Sequence, residues 1–216
     1  EVNNAGVMIS RGTLSTTAGR VDLTYNGLVV LLVDGTAGYT YTVASTTFAV
    51  IVDGDFPNGV TTCSWLDGQF IVGGDGTDQF FISPDGTAWD ALDFATAESN
   101  PDGIVRVFAN NGEVLLFGDN TLEPWGNNNQ GDFPFSPIKG GISTFGLAAR
   151  WSLCEYNSGL AALMIPPGGQ VQVMFISGYV PKPISSQEVD AIINDYATVS
   201  DATAFSYMLG GHPMLQ

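Results

Sequence analysis

The sequence predicts an all-β protein with one inserted helix, a β-propeller-like array of antiparallel blades that forms a propeller or part of one. Three observations carry this. The 216 residues include 27 glycines, with Thr, Val, Phe and Asn frequent, a mixture suited to strands joined by tight turns. Four segments share one pattern, a turn, an apolar run and a second turn: "YNGLVVLLVDG" (25–35), "LDGQFIVGGDG" (66–76), "NNGEVLLFGDN" (110–120) and "YNSGLAALMIPPGG" (156–169). Their leading glycines, Gly27, Gly68, Gly112 and Gly159, recur at spacings of 41, 44 and 47, the period of propeller blades. Finally, Leu28–Val33 and Val114–Phe117 are apolar without alternation, as strands covered on both faces must be. A two-sheet sandwich, the alternative, does not require this.

The elements follow in order. Residues 1–20, small and polar around Gly6, Gly12 and Gly19, read as an N-terminal arm or edge strand; 21–216 read as the propeller-like domain. A strand precedes each later repeat in "VTTCSWL" (60–66), "IVRVFAN" (104–110) and "LAARWSLCEY" (147–156). Another follows each repeat in "YTYTVAS" (39–45), "DQFFISPDG" (78–86), "TLEPWG" (121–126) and "QVQVMFISG" (170–178). The β pattern breaks once. In "ISSQEVDAIINDYA" (184–197), Val189, Ile192, Ile193 and Tyr196 stand at helical spacing. Ser185 with Glu188 reads as a capping box, and Pro181 and Pro183 end the preceding strand, so a helix is expected at about 186–197, inserted between blades.

Charge narrows the function. Twenty-two acids face six basic residues, a formal charge of −16. Arg11, Arg20, Arg106, Arg150, Lys139 and Lys182 are too few to track phosphates, so tight DNA binding is not expected. Such a surface stays soluble or meets a basic protein partner. Cys63 and Cys154 lie far apart in sequence and read as reduced core residues. The longest apolar run is too short to cross a bilayer, so no membrane partner is expected. The chain starts at Glu1 and stops abruptly at Gln216, so its ends read as boundaries of processing, with the propeller open to truncation at the C-terminus.

No catalytic, cofactor-binding or metal-binding residues are assigned. "SPDGTAW" (83–89) is similar to the Asp-box turn of sialidase-type propellers, where Asp and Gly shape a hairpin and the Trp packs beneath the next strand, which makes Trp89 architectural. Glu123 with Asp119 or Asp132 is the carboxylate pair a glycosidase would need, but among 22 acids such a pair arises readily by chance. A carbohydrate-binding or sialidase-like glycan-hydrolysing propeller is the alternative function. "DGDFPNG" (53–59) and "DGTD" (75–78) resemble calcium turns, but Pro57 takes a ligand position and no Glu closes the loop. His212 is the only histidine, leaving one candidate base for a triad.

"LFGDNTLEPWGNNNQGDFPFSPIKGGISTFG" (116–146) resembles the packaged-DNA stabilisation proteins, or tail accessory factors, of short-tailed bacteriophages. The residues carrying the likeness are Leu116–Phe117–Gly118, Thr121, Glu123, Trp125 and the Pro134–Phe135 turn. It continues through "PKPISSQEVDAIINDY" (181–196) to "GGHP" (210–213), where His212 follows the turn that opens the next blade. Family members are longer and continue into an aromatic strand where this chain has "PMLQ". The resemblance implies a non-enzymatic virion protein of the tail or neck, assembled in the host cytoplasm. It implies a homo-oligomeric ring below the portal that retains packaged DNA without binding it tightly. The partners implied are the portal adaptor, the needle and the tailspike. In that setting Glu123, Trp125, Pro134, Phe135, Trp89 and His212 are architectural or interface residues. Trp125 and Phe135 would anchor between blades, and the acids of 116–138 would face solvent or a channel.

Overall fold

The computed structural model describes residue 2, residues 5–97 and residues 102–216. Glu1, Asn3 and Asn4 of the expected arm lie outside the described residues. The chain folds as successive antiparallel sheets, with strands pairing to their neighbours in sequence in all but the fourth. The first sheet comprises β1 (Asp22–Tyr25), β2 (Val29–Val33), β3 (Gly38–Thr42) and β4 (Thr47–Val50). The second comprises β5 (Thr62–Leu66), β6 (Gln69–Gly73), β7 (Gln79–Ser83) and β8 (Phe94–Thr96). The third comprises β9 (Ile104–Asn110), β10 (Glu113–Gly118), β11 (Leu122–Asn127) and β12 (Phe135–Pro137). In the fourth, β13 (Gly146–Leu147) and β14 (Cys154–Tyr156) both pair with β15 (Gly159–Ile165), followed by β16 (Gln172–Ile176) and β17 (Pro181–Pro183). Helix α1 (Gln187–Asn194) comes next, and then a hairpin of β18 (Ser206–Leu209) and β19 (His212–Leu215).

Four of the hairpins turn where the sequence places a turn, through residues that tolerate positive φ. Asp67–Gly68, Asn111–Gly112, Asn157–Ser158 and Gly210–Gly211 all carry positive φ at both positions, as a two-residue turn matched to strand twist requires. Gly159 is not a turn residue. It lies in β15, where a Cβ would stand 2.6 Å from the Ile176 carbonyl oxygen. The leading strand expected over 147–156 is broken into β13 and β14. Ser152 fills the break, its hydroxyl donating to Ala149 O (2.7 Å) and accepting from Leu163 N (2.9 Å).

The sheets pack face to face in sequence order, each junction with its own apolar core. Leu31 and Val33 of the first sheet meet Cys63, Phe70 and Val72 of the second, with Trp89 among them. Ile71, Phe80 and Ile82 meet Val107, Val114, Leu116, Trp125 and Phe135 at the next junction. Leu115, Phe117 and Leu122 meet Leu147, Leu160, Met164 and Met174 at the third. Strand β10 is therefore apolar on both faces because each face belongs to a different core. Among the described residues no other sheet packs on the far side of the first sheet. Leu23, Tyr25 and Leu28 are exposed there, and Val30, Leu32, Tyr41 and Phe48 line an open apolar concavity. Residues of the arm lie over part of the sheet: Ser15 N donates to the Tyr39 hydroxyl (2.7 Å) and Thr16 to Asp34 (2.9 Å).

Helix α1 ends at Asn194, short of the 197 that periodicity suggests, and its N-cap is Ser186, not Ser185. Ser186 accepts from Val189 N, and its hydroxyl also holds the Glu188 carboxyl below its usual range. The capping pair is thus shifted by one residue, leaving Ser185 free to tie the helix to the fourth sheet.

Gly118 shows why the Leu-Phe-Gly triplet ends as it does. A Cβ at 118 would lie 2.5 Å from the Asp102 carboxylate, which accepts from Asn120 N (2.7 Å), Thr121 N (3.0 Å) and the Thr121 hydroxyl. Gly118→Ala is expected to destabilise the fold by about 1–3 kcal/mol, the usual range for overpacking. Gly168→Ala, where nothing lies within 4 Å, should be near neutral. Paired denaturant unfolding curves measure the contrast.

Candidate functional site

The stretch 116–138 is a wall between the second and third sheets. In β11, Glu123 and Trp125 share one face, opposite Leu116 and Val114 of β10. Trp125 is buried against Phe80, their rings edge to face at 5.1 Å, and Phe133 packs on Phe80 and on Phe135. Glu123 is only 2% exposed, and its Oε1 accepts from the Trp125 indole N–H at 2.9 Å. This corrects the expectation that the acids of this stretch face solvent or a channel. Asp119 and Asp132 are exposed, but Glu123 is in the core. A charged residue in a strand carries no signal for burial unless its partner is known, and here the partner lies two residues on. The Glu123 carboxyl is thus sealed inside a junction. Pro134 is half-buried, and its carbonyl accepts from Asn128 N (2.8 Å), closing the loop that carries Phe135 back to pair with Asn127.

Trp89, in the loop after β7, is buried one junction earlier. Asp85 Oδ1 accepts from Thr87 N (2.7 Å) and Ala88 N (2.9 Å), and Ser83 Oγ accepts from Gly86 N and donates to Ala88 O. That turn lowers the indole into the first junction, edge to face with Phe56 at 5.1 Å, with its N–H donating to Gly86 O (3.2 Å). Its backbone N–H donates to Asp53 of the linker between sheets (3.1 Å). "DGDFPNG" accordingly opens with an Asx turn at Asp53, whose carboxylate also accepts from this anchor. Among the described residues no group of three or more His, Cys, Asp or Glu is placed to hold a metal.

A second constellation gathers where the first strands of the sheets run side by side. Asp22 on β1 accepts from Cys63 N on β5 (3.0 Å). Thr62 and Ser64 on β5 accept from Val107 N (3.2 Å) and Ala109 N (3.1 Å) on β9. Arg150 donates through Nε to Val105 O (2.7 Å) and through Nη2 to Gly74 O (3.1 Å), spanning three sheets. Arg106 donates to Arg150 O (3.0 Å) and Leu153 O (3.3 Å), with its guanidinium over the Phe108 and Trp151 rings. Arg20, two residues before β1, bonds Thr203 and stacks on Trp151, so the first sheet meets the segment leading into β18. At least half the basic residues are thus committed to backbone carbonyls, a hydroxyl and ring faces. Burial pushes Asp22 up, although Arg106, two backbone N–H groups and Arg150 pull it down. Cys63 is buried and its thiol pushed well up by the same burial and by Asp22; Cys154 is half-buried, and both are free.

His212 is exposed at the start of β19, just past the Gly210–Gly211 turn. The strands around it, β18 and β19, form a two-stranded sheet with Phe205, Tyr207, Leu209 and Met214 exposed. No helix of the described residues is long and apolar enough to cross a membrane.

Comparisons with known proteins agree with this architecture. A family model described as bacteriophage P22 Gp10, beta-propeller, matches residues 1–215. No curated protein matches the chain. Among solved structures, the extracellular domain of a hybrid two-component system from B. thetaiotaomicron is similar in fold, with a TM-score of 0.54 at 11% identity. The match covers 90% of this chain, which spans only 26% of that one. The computationally designed Ika4 protein matches over 79% of this chain and 100% of its own, with a TM-score of 0.45 at 15% identity.

Two predictions follow from these geometries. Glu123→Ala strands the buried indole N–H and is expected to cost about 1–3 kcal/mol, whereas Glu123→Gln keeps an acceptor and should cost clearly less; chemical denaturation compares them. The second concerns pH. Burial pushes Asp85 up, but the N–H groups of Ala88 and Thr87 and the Thr87 and Ser83 hydroxyls outweigh it, leaving the carboxyl below 3.8. The stability it contributes is present above 3.8 and lost as pH falls through its lowered value. Asp22, raised above 3.8, behaves oppositely: its contribution is present below 3.8 and lost as pH climbs through the raised value. Melting temperature followed against pH should therefore show a shallower acid limb for Asp85→Ala, and for Asp22→Asn a standing relative to wild type that improves as pH rises from 3.8.

Proposed function

This chain belongs to the phage-stabilisation family of bacteriophage P22 Gp10, a β-propeller, and from that premise we propose how this phage structural protein works in the virion. Its place is the tail or neck, in a homo-oligomeric ring below the portal that retains packaged DNA and links the portal adaptor to the needle and tailspike. It acts by protein contact without catalysing a reaction, and it assembles in the host cytoplasm. The observation carrying the reading is the family match over residues 1–215. Residues 21–216 act as one propeller-like unit carrying the arm 1–20. Trp89, Glu123, Trp125, Pro134 and Phe135 make its junctions rigid, and His212 marks an interface. The charge also supports it: with a net charge of −16 and three of the six cations already engaged, the surface has little with which to release counterions from a phosphate backbone. DNA then slides past the ring without sticking.

The purified protein is expected to form rings in negative-stain electron microscopy and to leave duplex DNA unshifted in a low-salt mobility assay. Strictly monomeric particles under assembly conditions, or tight DNA binding, would refute the reading.

A further inference from the structure

Helix α1 is inside out. Its single buried residue is the charged one, Asp190. Asp190 accepts from Gln172 Nε2 (2.9 Å) on β16 and from the Ser185 hydroxyl. One turn on, the Asn194 amide accepts from Val171 N (2.9 Å) and donates to Val171 O (2.8 Å). The helix is therefore fastened to the fourth sheet by its polar stripe, while Val189 is 43%, Ile192 59% and Tyr196 64% exposed. A helix in water buries its apolar stripe if anything is available to bury it against, so this one presents its stripe to something else. Beside it runs an apolar groove of about 390 Å³, lined by Ile184, Val189, Val173, Tyr156, Met214 and Leu215.

We propose that the exposed stripe of α1 and the groove between α1 and β19 dock an amphipathic segment of another virion protein, apolar on one side and flanked by lysine or arginine. Charge selects this occupant. From Pro183 to Gln216 the sequence has no Lys or Arg, against Glu188, Asp190, Asp195 and Asp201. Glu188, Asp195 and Asp201 are exposed with Glu155, and Asp190 is spent inward. A second copy would bring the same acids, and its own −16, against this face, with Lys182 the single Lys or Arg from β16 to Gln216 to answer them. A basic amphipathic segment satisfies both the apolar floor and the acidic rim. The inference rests on the reading of the chain as a protein that works by contacts within the virion, and it concerns one face of it.

The test uses the full chain and a designed Leu/Lys amphipathic helical peptide, titrated by isothermal calorimetry. Saturable one-to-one binding is expected, weakened about tenfold, or about 1.4 kcal/mol, by Val189→Ser with Ile192→Ser. Glu188→Gln with Asp195→Asn should weaken it several-fold and flatten its salt dependence. All four positions are exposed, and circular dichroism checks that the variants stay folded. Absence of binding, binding unchanged by the serine pair, or equal affinity for a Leu/Glu peptide would overturn the proposal. So would self-association in sedimentation that the serine pair abolishes, since a second copy would then be the occupant. Ring formation is measured separately, so losing one result leaves the other standing.

Discussion

Among the described residues, the first strands of the first three sheets have outer edges with no strand paired to them, and the structure depends on how those edges are satisfied. Strands β1, β5 and β9 lie side by side but belong to different sheets, so their backbones do not form a continuous ladder. An unpaired edge N–H in a buried place costs as much as a lost hydrogen bond. Short polar side chains supply the missing acceptors: Asp22 for Cys63, Thr62 for Val107, Ser64 for Ala109. Arginines supply the missing donors, with Arg150 and Arg106 capping carbonyls at Gly74, Val105, Arg150 and Leu153. The sheets are sewn together by side chains at the middle and by apolar cores further out.

That arrangement explains the chain's odd charge balance. A guanidinium can cap two carbonyls from different strands in one planar fork, which an ammonium does less well. The few arginines are placed where that geometry is needed, and the Arg106 guanidinium also lies over two aromatic rings. Several of the acids, by contrast, are local turn-makers. Asp34 accepts from Thr36 N and Ala37 N, Asp53 from Asp55 N, Asp75 from Thr77 N and Asp90 from Leu92 N. A protein built from many tight turns acquires acids in proportion, and its surface becomes anionic as a by-product of its connections.

The same division decides what could be read in the sequence. The blade period, the turn at 83–89 and the existence of the helix were legible because each is set by residues within a few positions of one another. Trp125 and Phe135 lie in the core between the second and third sheets, and it was family likeness, not spacing, that pointed to them. The burial of Glu123 was not, since its side chain looks the same in the sequence whether it meets water or an indole N–H. Nor was the break in the leading strand of the fourth sheet, which depends on Ser152 reaching the neighbouring strand at Leu163. The helix shows the limit most clearly. Spacing of Val189, Ile192, Ile193 and Tyr196 gave the right conformation but not the buried face, which Gln172 and Val171, distant in sequence, fix by holding the polar stripe.

An anionic protein that assembles faces a constraint of its own. Copies carrying −16 repel, and at physiological salt that repulsion reaches only about 8 Å beyond each charge, so contact is where it must be overcome. Contact between copies in the proposed ring then has to be made through surface with few charges on it. The first sheet offers such a surface on its uncovered side, where Leu23, Tyr25, Val30, Leu32, Tyr41 and Phe48 are exposed or line an open concavity. The far end of the array offers another in the outward face of the β18–β19 hairpin, with Phe205, Tyr207 and Leu209. These two faces differ from the stripe of α1 in the one respect that matters for partner choice: the helix is rimmed by acids, and the first sheet carries Arg11 at the lip of its concavity. Like charge directs the helix toward a different, basic molecule, while the lining of the first sheet's concavity, with Arg11 and no acid, imposes no such choice.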